Sequence, residues 1–152
     1  MPDLAHVLEG NDLGFLRMVA NAWGVEMNAP DARVARSQLV AAMRNERLVM
    51  EVVQALPEEA RQALQALLEN SGCLSWSFFT RRFGEVRSMG AAKRDRERPD
   101  LHPVSPAEYL WYRALIGRDF LNLSSEPQEY AYVPDDLLQY LAPLTNSPTV
   151  PL

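Results

Sequence analysis

The part of the chain most suited to binding chemistry is a run of cationic side chains between residues 81 and 98. The run contains seven cations and three acids, whereas the whole chain has a formal net charge of −5. The cations are Arg81, Arg82, Arg87, Lys93, Arg94, Arg96 and Arg98. Outside the run, eight basic residues face seventeen acidic ones, so a polyanion is repelled there. The phosphates of a nucleic acid are therefore the first ligand to test.

Two interpretations of this run are open. In the first, its arginines neutralise phosphates, which gives affinity that is independent of sequence and strongly dependent on salt. In the second, the run is a solvated loop in which Asp95 and Glu97 neutralise their neighbours. Arg81 and Arg82 are better placed for contact, because they lie near the end of a predicted helix whose packing holds them outward.

Tyr112 and Arg113 complete the predicted contact surface, on the flank of a predicted helix over 105–116. Among the aromatic residues, Tyr112 and Trp76 are the candidates for stacking on a base. The other aromatic residues coincide with apolar helix or strand faces and are expected in the core.

The sequence offers no arrangement suited to catalysis or to metal binding. It has no Gly-rich phosphate loop and no nucleophile–base set, and its two histidines, His6 and His102, lack ligand spacing. The single cysteine, Cys73, excludes an internal disulfide and lies in an apolar setting without a nearby histidine. We therefore predict a protein that is not an enzyme and that uses neither a cofactor nor a metal.

The expected location is the cytoplasm, without a membrane partner. No apolar run approaches the roughly 20 residues needed to cross a bilayer, and the N-terminus lacks the pattern of a signal peptide. A single cysteine also fits a reducing compartment.

Apolar periodicity before Pro57 predicts helices only. The first has Asn11 or Asp12 as a possible cap and ends at Gly24; its apolar face consists of Phe15, Leu16, Val19, Ala20 and Trp23. An extended segment over 25–34 follows. Two further helices are marked by the apolar residues of 39–43 and of 49–56, the last of them stopped by Pro57.

After Pro57 the predicted order is that of a winged helix-turn-helix. It comprises helix 58–70, strand 73–74, helix 75–84, a loop over 85–104 with at most one exposed helical turn, helix 105–116, a hairpin of 120–124 and 129–133, and a short helix through Leu141. The helix at 105 has a serine cap, proline at its first position and Glu108 returning to the cap amide. In this fold the third helix enters the major groove and the hairpin contacts the DNA backbone or minor groove.

The predicted fold is therefore mainly α, with three parts. Residues 1–56 form a SAP-like helical module, residues 57–142 form a winged-helix domain with a small β-hairpin, and residues 143–152, which include three prolines, form a flexible tail.

Several segments resemble a known family. LRMVANAWGV and RSQLVAAM resemble a SAP-like helix-extended-helix module, and SWSFFTRRFGEVRSMG, SPAEYLWYRALIGRDF and EYAYVPDDL are similar to the winged-helix region of bacterial XPB-like helicase-associated-domain proteins. The resemblance covers roughly residues 12–142 and implies association with DNA and with helicase or transcription proteins. The chain departs from it at residues 29–33, where SAP modules place a glycine and a basic residue, and it contains no ATPase motif.

These observations predict a non-catalytic DNA-binding domain. The arginine-rich loop and the end of helix 75–84 would contact phosphates of duplex or single-stranded DNA. The alternative is a protein–protein docking module for a helicase or transcription component, whose acidic faces contact a basic partner. The salt dependence of binding separates the two.

Overall fold

A computed structural model describes residues 1–123 and 125–146. Within these ranges the chain forms nine helices and one three-stranded sheet. The elements are α1 (Leu4–Leu8), α2 (Leu13–Trp23), α3 (Ala32–Met43), α4 (Glu46–Gln54), α5 (Glu58–Leu68), β1 (Cys73–Ser75), α6 (Trp76–Phe83), α7 (Ala91–Glu97), α8 (Pro106–Trp111), β2 (Gly117–Leu121), β3 (Gln128–Tyr132) and α9 (Asp135–Asn146).

Short polar side chains fix the start of most helices. Each accepts a hydrogen bond from a backbone N–H of the first turn, which would otherwise have no partner. These caps are Asp3, Asp12, Asp31, Asn45, Ser75 and Ser105. The end of α2 is set by Gly24, whose φ of +68° suits glycine.

The three strands form an antiparallel sheet in the order β1-β3-β2. Strand β3 is central, with Tyr132 opposite both Cys73 and Gly117. The predicted hairpin is confirmed, although β2 begins at Gly117 rather than at Phe120. Of the predicted hairpin residues, Ser124 lies outside the described ranges. A mainly α fold with a small hairpin is thus what the sequence predicted.

Buried residues on both sides of Pro57 belong to one hydrophobic cluster. Leu16 and Leu39 come from the N-terminal helices, whereas Leu64, Phe79 and Leu110 come from later elements. Helix α9 contacts α1, α4 and α5 and so joins the two parts. The division at Pro57 stays a prediction, but the two predicted parts share their core.

The predicted helix over 105–116 is wrong in its extent. Helix α8 ends at Trp111, and a turn in which Ala114 has a φ of +53° leads into β2. Ala107, Glu108 and Leu110 are buried and the other three residues of this six-residue helix are half-buried, so none of them is fully exposed. Only half of the predicted capping box forms: Ser105 caps Glu108, but the Glu108 carboxylate accepts from Val104 and Arg87 instead of the cap amide.

Three further segments differ from the prediction. Helix α1 was not anticipated, and the 85–104 loop contains the two-turn helix α7. Helix α9 continues to Asn146, beyond the predicted end at Leu141 and into the predicted tail. The remaining tail residues, 147–152, lie outside the described ranges. None of the helices in the described ranges is long and apolar enough to span a bilayer.

Candidate nucleic-acid interface

Arg87 is the first of three arginines in the basic run that are held by carboxylates. Its Nε and Nη2 donate to the fully buried Glu108 carboxylate at 2.8–3.1 Å, and its Nη2 also donates to the His102 carbonyl. The backbone N–H groups of Arg87 and Val104 donate to the same carboxylate. The hydrogen bond with Glu108 raises the pKa of Arg87. This pair ties the segment before α7 to α8.

Arg94 is the second, and it is only 7% exposed. Its Nη1 and Nη2 donate to the two Asp12 oxygens at 2.6 and 2.8 Å, and Nη2 also donates to Asp95 at 2.9 Å. The hydrogen bond from Arg94 lowers the pKa of Asp12, which is also the cap of α2. A side chain on Gly14 would collide with the Arg94 guanidinium, so glycine there leaves room for it. Arg94 therefore docks α7 on the start of α2.

Arg98 is the third. Its Nε and Nη2 donate to the buried Asp100 carboxylate at 3.0 and 2.7 Å, and this bidentate bond closes the turn after α7. Arg94 is buried and all three of its guanidinium nitrogens donate within the fold, so it is not free for the predicted phosphate contact. Arg98 is 39% exposed and its Nη1 donates to none of the described residues, so its phosphate contact stays a prediction. Arg87 keeps only Nη1 without a partner among the described residues.

Tyr112 is buried and Arg113 is partly buried, so Tyr112 has little surface left for the predicted contact, and the contact of Arg113 stays a prediction. Tyr112 is 4% exposed, its ring packs against Phe15, and burial raises the pKa of its hydroxyl. The Arg113 guanidinium lies 3.5 Å from the centroid of the Tyr109 ring and donates to the Tyr109 carbonyl. Burial lowers the pKa of Arg113. Both residues serve packing around the turn after α8.

The other four cations of the run are exposed: Arg81, Arg82, Lys93 and Arg96. None of them forms an ion pair within the described part of the chain. Arg81 donates to the Ser77 hydroxyl, and the Arg82 guanidinium lies 5.3 Å from the centroid of the Phe83 ring. We call these four residues the basic quartet.

Helix α6 presents two members of the quartet on its outward face. Phe79 and Phe83 are buried, and the helical period places Ser77, Phe78 and Arg81 on the other side. Phe78 is 48% exposed, which is high for a phenylalanine in an amphipathic helix. Positive charge in this last turn also complements the helix dipole, so a structural role of Arg81 and Arg82 accompanies any binding role.

A cleft of about 490 Å³ lies between α6, the segment 85–89, α7 and β2. It is lined by Trp76, Thr80, Glu85, Val86, Arg87, Ser88, Met89, Lys93 and Arg118. We call it the α6–α7 cleft. Its wall includes one quartet member, Lys93, and Thr80, the residue before Arg81. The cleft and the quartet are therefore neighbours.

Arg118 is a lining residue that the sequence analysis did not identify. Its guanidinium carbon lies 4.6 Å from the centroid of the Trp76 ring, and its Nε and Nη2 donate to Glu129 at 2.9 and 2.8 Å. The hydrogen bond from Arg118 lowers the pKa of Glu129. The register of the hairpin could have identified Arg118 and its partner. Arg118 lies opposite Ala131, and Glu129 is two positions away on β3, a diagonal neighbour within reach of a long side chain.

Comparison of the chain with protein-family models, curated proteins and solved structures finds no match. The resemblance to helicase-associated proteins therefore stays a prediction. Among the residues that the structure describes, no three His, Cys, Asp or Glu side chains come together as a metal site. Burial raises the pKa of the Cys73 thiol, which keeps it in its less reactive, protonated form.

Proposed function

We propose that the protein is a non-catalytic nucleic-acid-binding protein that contacts phosphates through the basic quartet. The proposal rests on one observation: the cations of the basic run fall into a group that is paired with carboxylates and a group that is exposed. Arg87, Arg94 and Arg98 are committed to carboxylates, whereas the quartet is exposed and has no carboxylate partner in the described ranges. Free cations on a chain of net charge −5 favour an oriented contact with a polyanion.

The three arginine–carboxylate pairs support the proposal by fixing the backbone that carries the quartet. The Glu108 pair lies before α7, the Asp12 pair lies within it, and the Asp100 pair lies after it. Lys93 and Arg96 are thus presented from a docked helix rather than from a mobile loop. Less conformational entropy is lost on binding when the contacting groups are already positioned.

Charge neutralisation with a matched control tests the proposal. The variant Arg81→Gln/Arg82→Gln/Arg96→Gln removes three quartet charges, and Arg33→Gln/Arg36→Gln/Arg47→Gln removes three charges from α3 and α4. We expect the first variant to bind a labelled oligonucleotide about tenfold or more weakly. Each lost phosphate contact should also make the slope of log affinity against log salt shallower by about 0.7–0.9 units.

The α3–α4 variant has the same net charge and should bind like the parent protein. Equal weakening by both variants would mean that the quartet has no special role. Absence of any binding by the parent protein at low salt would refute the proposal.

One observation favours the docking-module alternative. Phe120 on β2 is 64% exposed, and Leu123 beyond it is also exposed. Exposed apolar side chains at the end of a hairpin suit a protein partner better than the charged backbone of DNA. If no nucleic acid binds, this hairpin is where contact with a helicase or transcription protein, the partner implied by the resemblance, should be tested.

A further inference from the structure

We infer that the α6–α7 cleft holds one unpaired nucleotide, so that the protein prefers single-stranded to duplex nucleic acid. The inference rests on the proposed function and deepens it by naming the class of ligand. Its basis is a concave site in which cationic donors lie beside the cation–π pair of Arg118 and Trp76.

The shape of the cleft selects against a duplex. Its volume of about 490 Å³ falls within the usual range of small-ligand sites. Bases in a duplex stay paired and stacked, so a base reaches such a site only when it is unpaired or flipped out. The exposed quartet residues can contact the backbone of either form, whereas the cleft accepts one nucleotide of a single strand.

Donor groups in the cleft match a phosphate. Lys93 has no ion-pair partner among the described residues, and the Nη1 groups of Arg87 and Arg118 donate to none of them. Among the described residues, Glu85 is the single carboxylate that lines the cleft. The carboxylates of Glu108 and Glu129, which are not among the lining residues, each hold one of these guanidinium groups, so the orientation of both groups is fixed before a ligand arrives.

The Trp76–Arg118 pair is suited to stacking a base. Trp76 holds one side of the Arg118 guanidinium, Glu129 fixes the group by two hydrogen bonds, and the Arg118 side chain remains 43% exposed. Bases stack on guanidinium planes as well as on aromatic rings, and stacking tolerates any base. An acidic peptide could form ion pairs with the cations of the cleft, but its carboxylates have no base to stack on the Trp76–Arg118 pair.

Binding of a short labelled oligothymidylate and of a duplex of equal length tests the inference. We expect the parent protein to bind the single strand about tenfold more tightly, a difference of the size that one stacked base supplies. Lys93→Ala and Arg118→Gln should each reduce that preference, while Arg33→Gln should leave it unchanged. Lys93 is exposed and forms no ion pair with the residues that the structure describes, so its variant should fold normally even if Arg118→Gln loosens the hairpin.

Tryptophan fluorescence supplies a second readout. Single-stranded ligand should quench part of the tryptophan emission of the parent protein. In Trp76→Phe this quenching should be absent. Equal binding of duplex and single strand, unaffected by Lys93→Ala, would overturn the inference and leave the proposed function standing. Competition by polyglutamate as effective as that by unlabelled oligothymidylate would also overturn it. Failure of the parent protein to bind either nucleic acid would overturn both proposals.

Discussion

Arg94 and Arg96 lie two positions apart on α7 and have opposite environments. Arg94 is buried against Asp12, whereas Arg96 is exposed and unpaired among the described residues. Arg94 lies between Lys93 and Asp95, whereas Arg96 lies between two acids, so the local charge pattern would favour pairing of Arg96, the opposite of what the structure has. The difference depends on Asp12, which is far away in the sequence and whose cap position was one of two that the sequence allowed. Charge runs therefore predict a basic region but not which of its members are free.

Substitution of Asp12 should separate its ion pair from its capping role. Asp12→Asn keeps a capping oxygen but removes the charge that pairs with Arg94. We expect the free energy of unfolding to fall by about 1 kcal/mol, because Asp12 is half exposed and water screens the pair. Asp12→Ala should lower it by about 1 kcal/mol more through loss of the cap. Urea denaturation at neutral pH measures both changes.

The effect of Asp12→Asn should depend on pH. Arg94 holds the pKa of Asp12 below its ordinary value of 3.8, so the pair stabilises the protein above that value. This contribution is lost as the pH falls through the lower folded-state pKa. The difference between parent and variant should therefore shrink in acid. A difference that stays constant down to the lowest pH at which the parent folds would contradict this account.

Helix α7 shows why one element escaped prediction. Its sequence, AAKRDRE, contains no apolar stripe, and the buried side chain among its residues is Arg94. It is held to α2 by an ion pair and by the small Gly14, not by apolar packing. Hydrophobic periodicity, which predicted α2, α5 and the hairpin, carries no information on such a helix. Helix α8 was overextended for a related reason: its apolar stripe continues through the turn after Trp111, where the residues are buried but not helical.

Gly14→Ala should test how α7 is docked. Alanine normally stabilises a helix relative to glycine by about 1 kcal/mol. Here the added methyl would collide with the Arg94 guanidinium, so we expect the variant to be less stable and the α7 amides to exchange faster with solvent. Gly90→Ala adds the same methyl where no atom lies within 4 Å, so any loss of stability there should come only from the poorer N-cap of α7 and not from a collision. Slower exchange in Gly14→Ala would show that Arg94 does not need this space.

At the scale of the whole molecule, the chain couples its two predicted parts through specific contacts as well as through the core. The Trp23 indole donates to the Arg113 carbonyl at 2.7 Å, Arg94 pairs with Asp12, and the Leu4 amide donates to Asp136 at 2.8 Å. Each contact joins a residue before Pro57 to one after it. The boundary at Pro57 was predicted because the chain changes there from helices only to a mixture of helices and strands. Such a change does not show whether the two parts pack against each other.

This coupling predicts that the protein unfolds in one cooperative transition. Trp23 reports on the N-terminal helices, whereas Trp76 and Trp111 report on the later elements. Trp23→Phe retains the two later tryptophans, and Trp76→Phe/Trp111→Phe retains Trp23 alone. For each variant, we expect the urea transition followed by fluorescence to coincide with the transition followed by far-UV circular dichroism. Such agreement is required when one buried cluster supports both parts. Two separated transitions, with Trp23 following one and Trp76 the other, would instead support independent domains divided at Pro57.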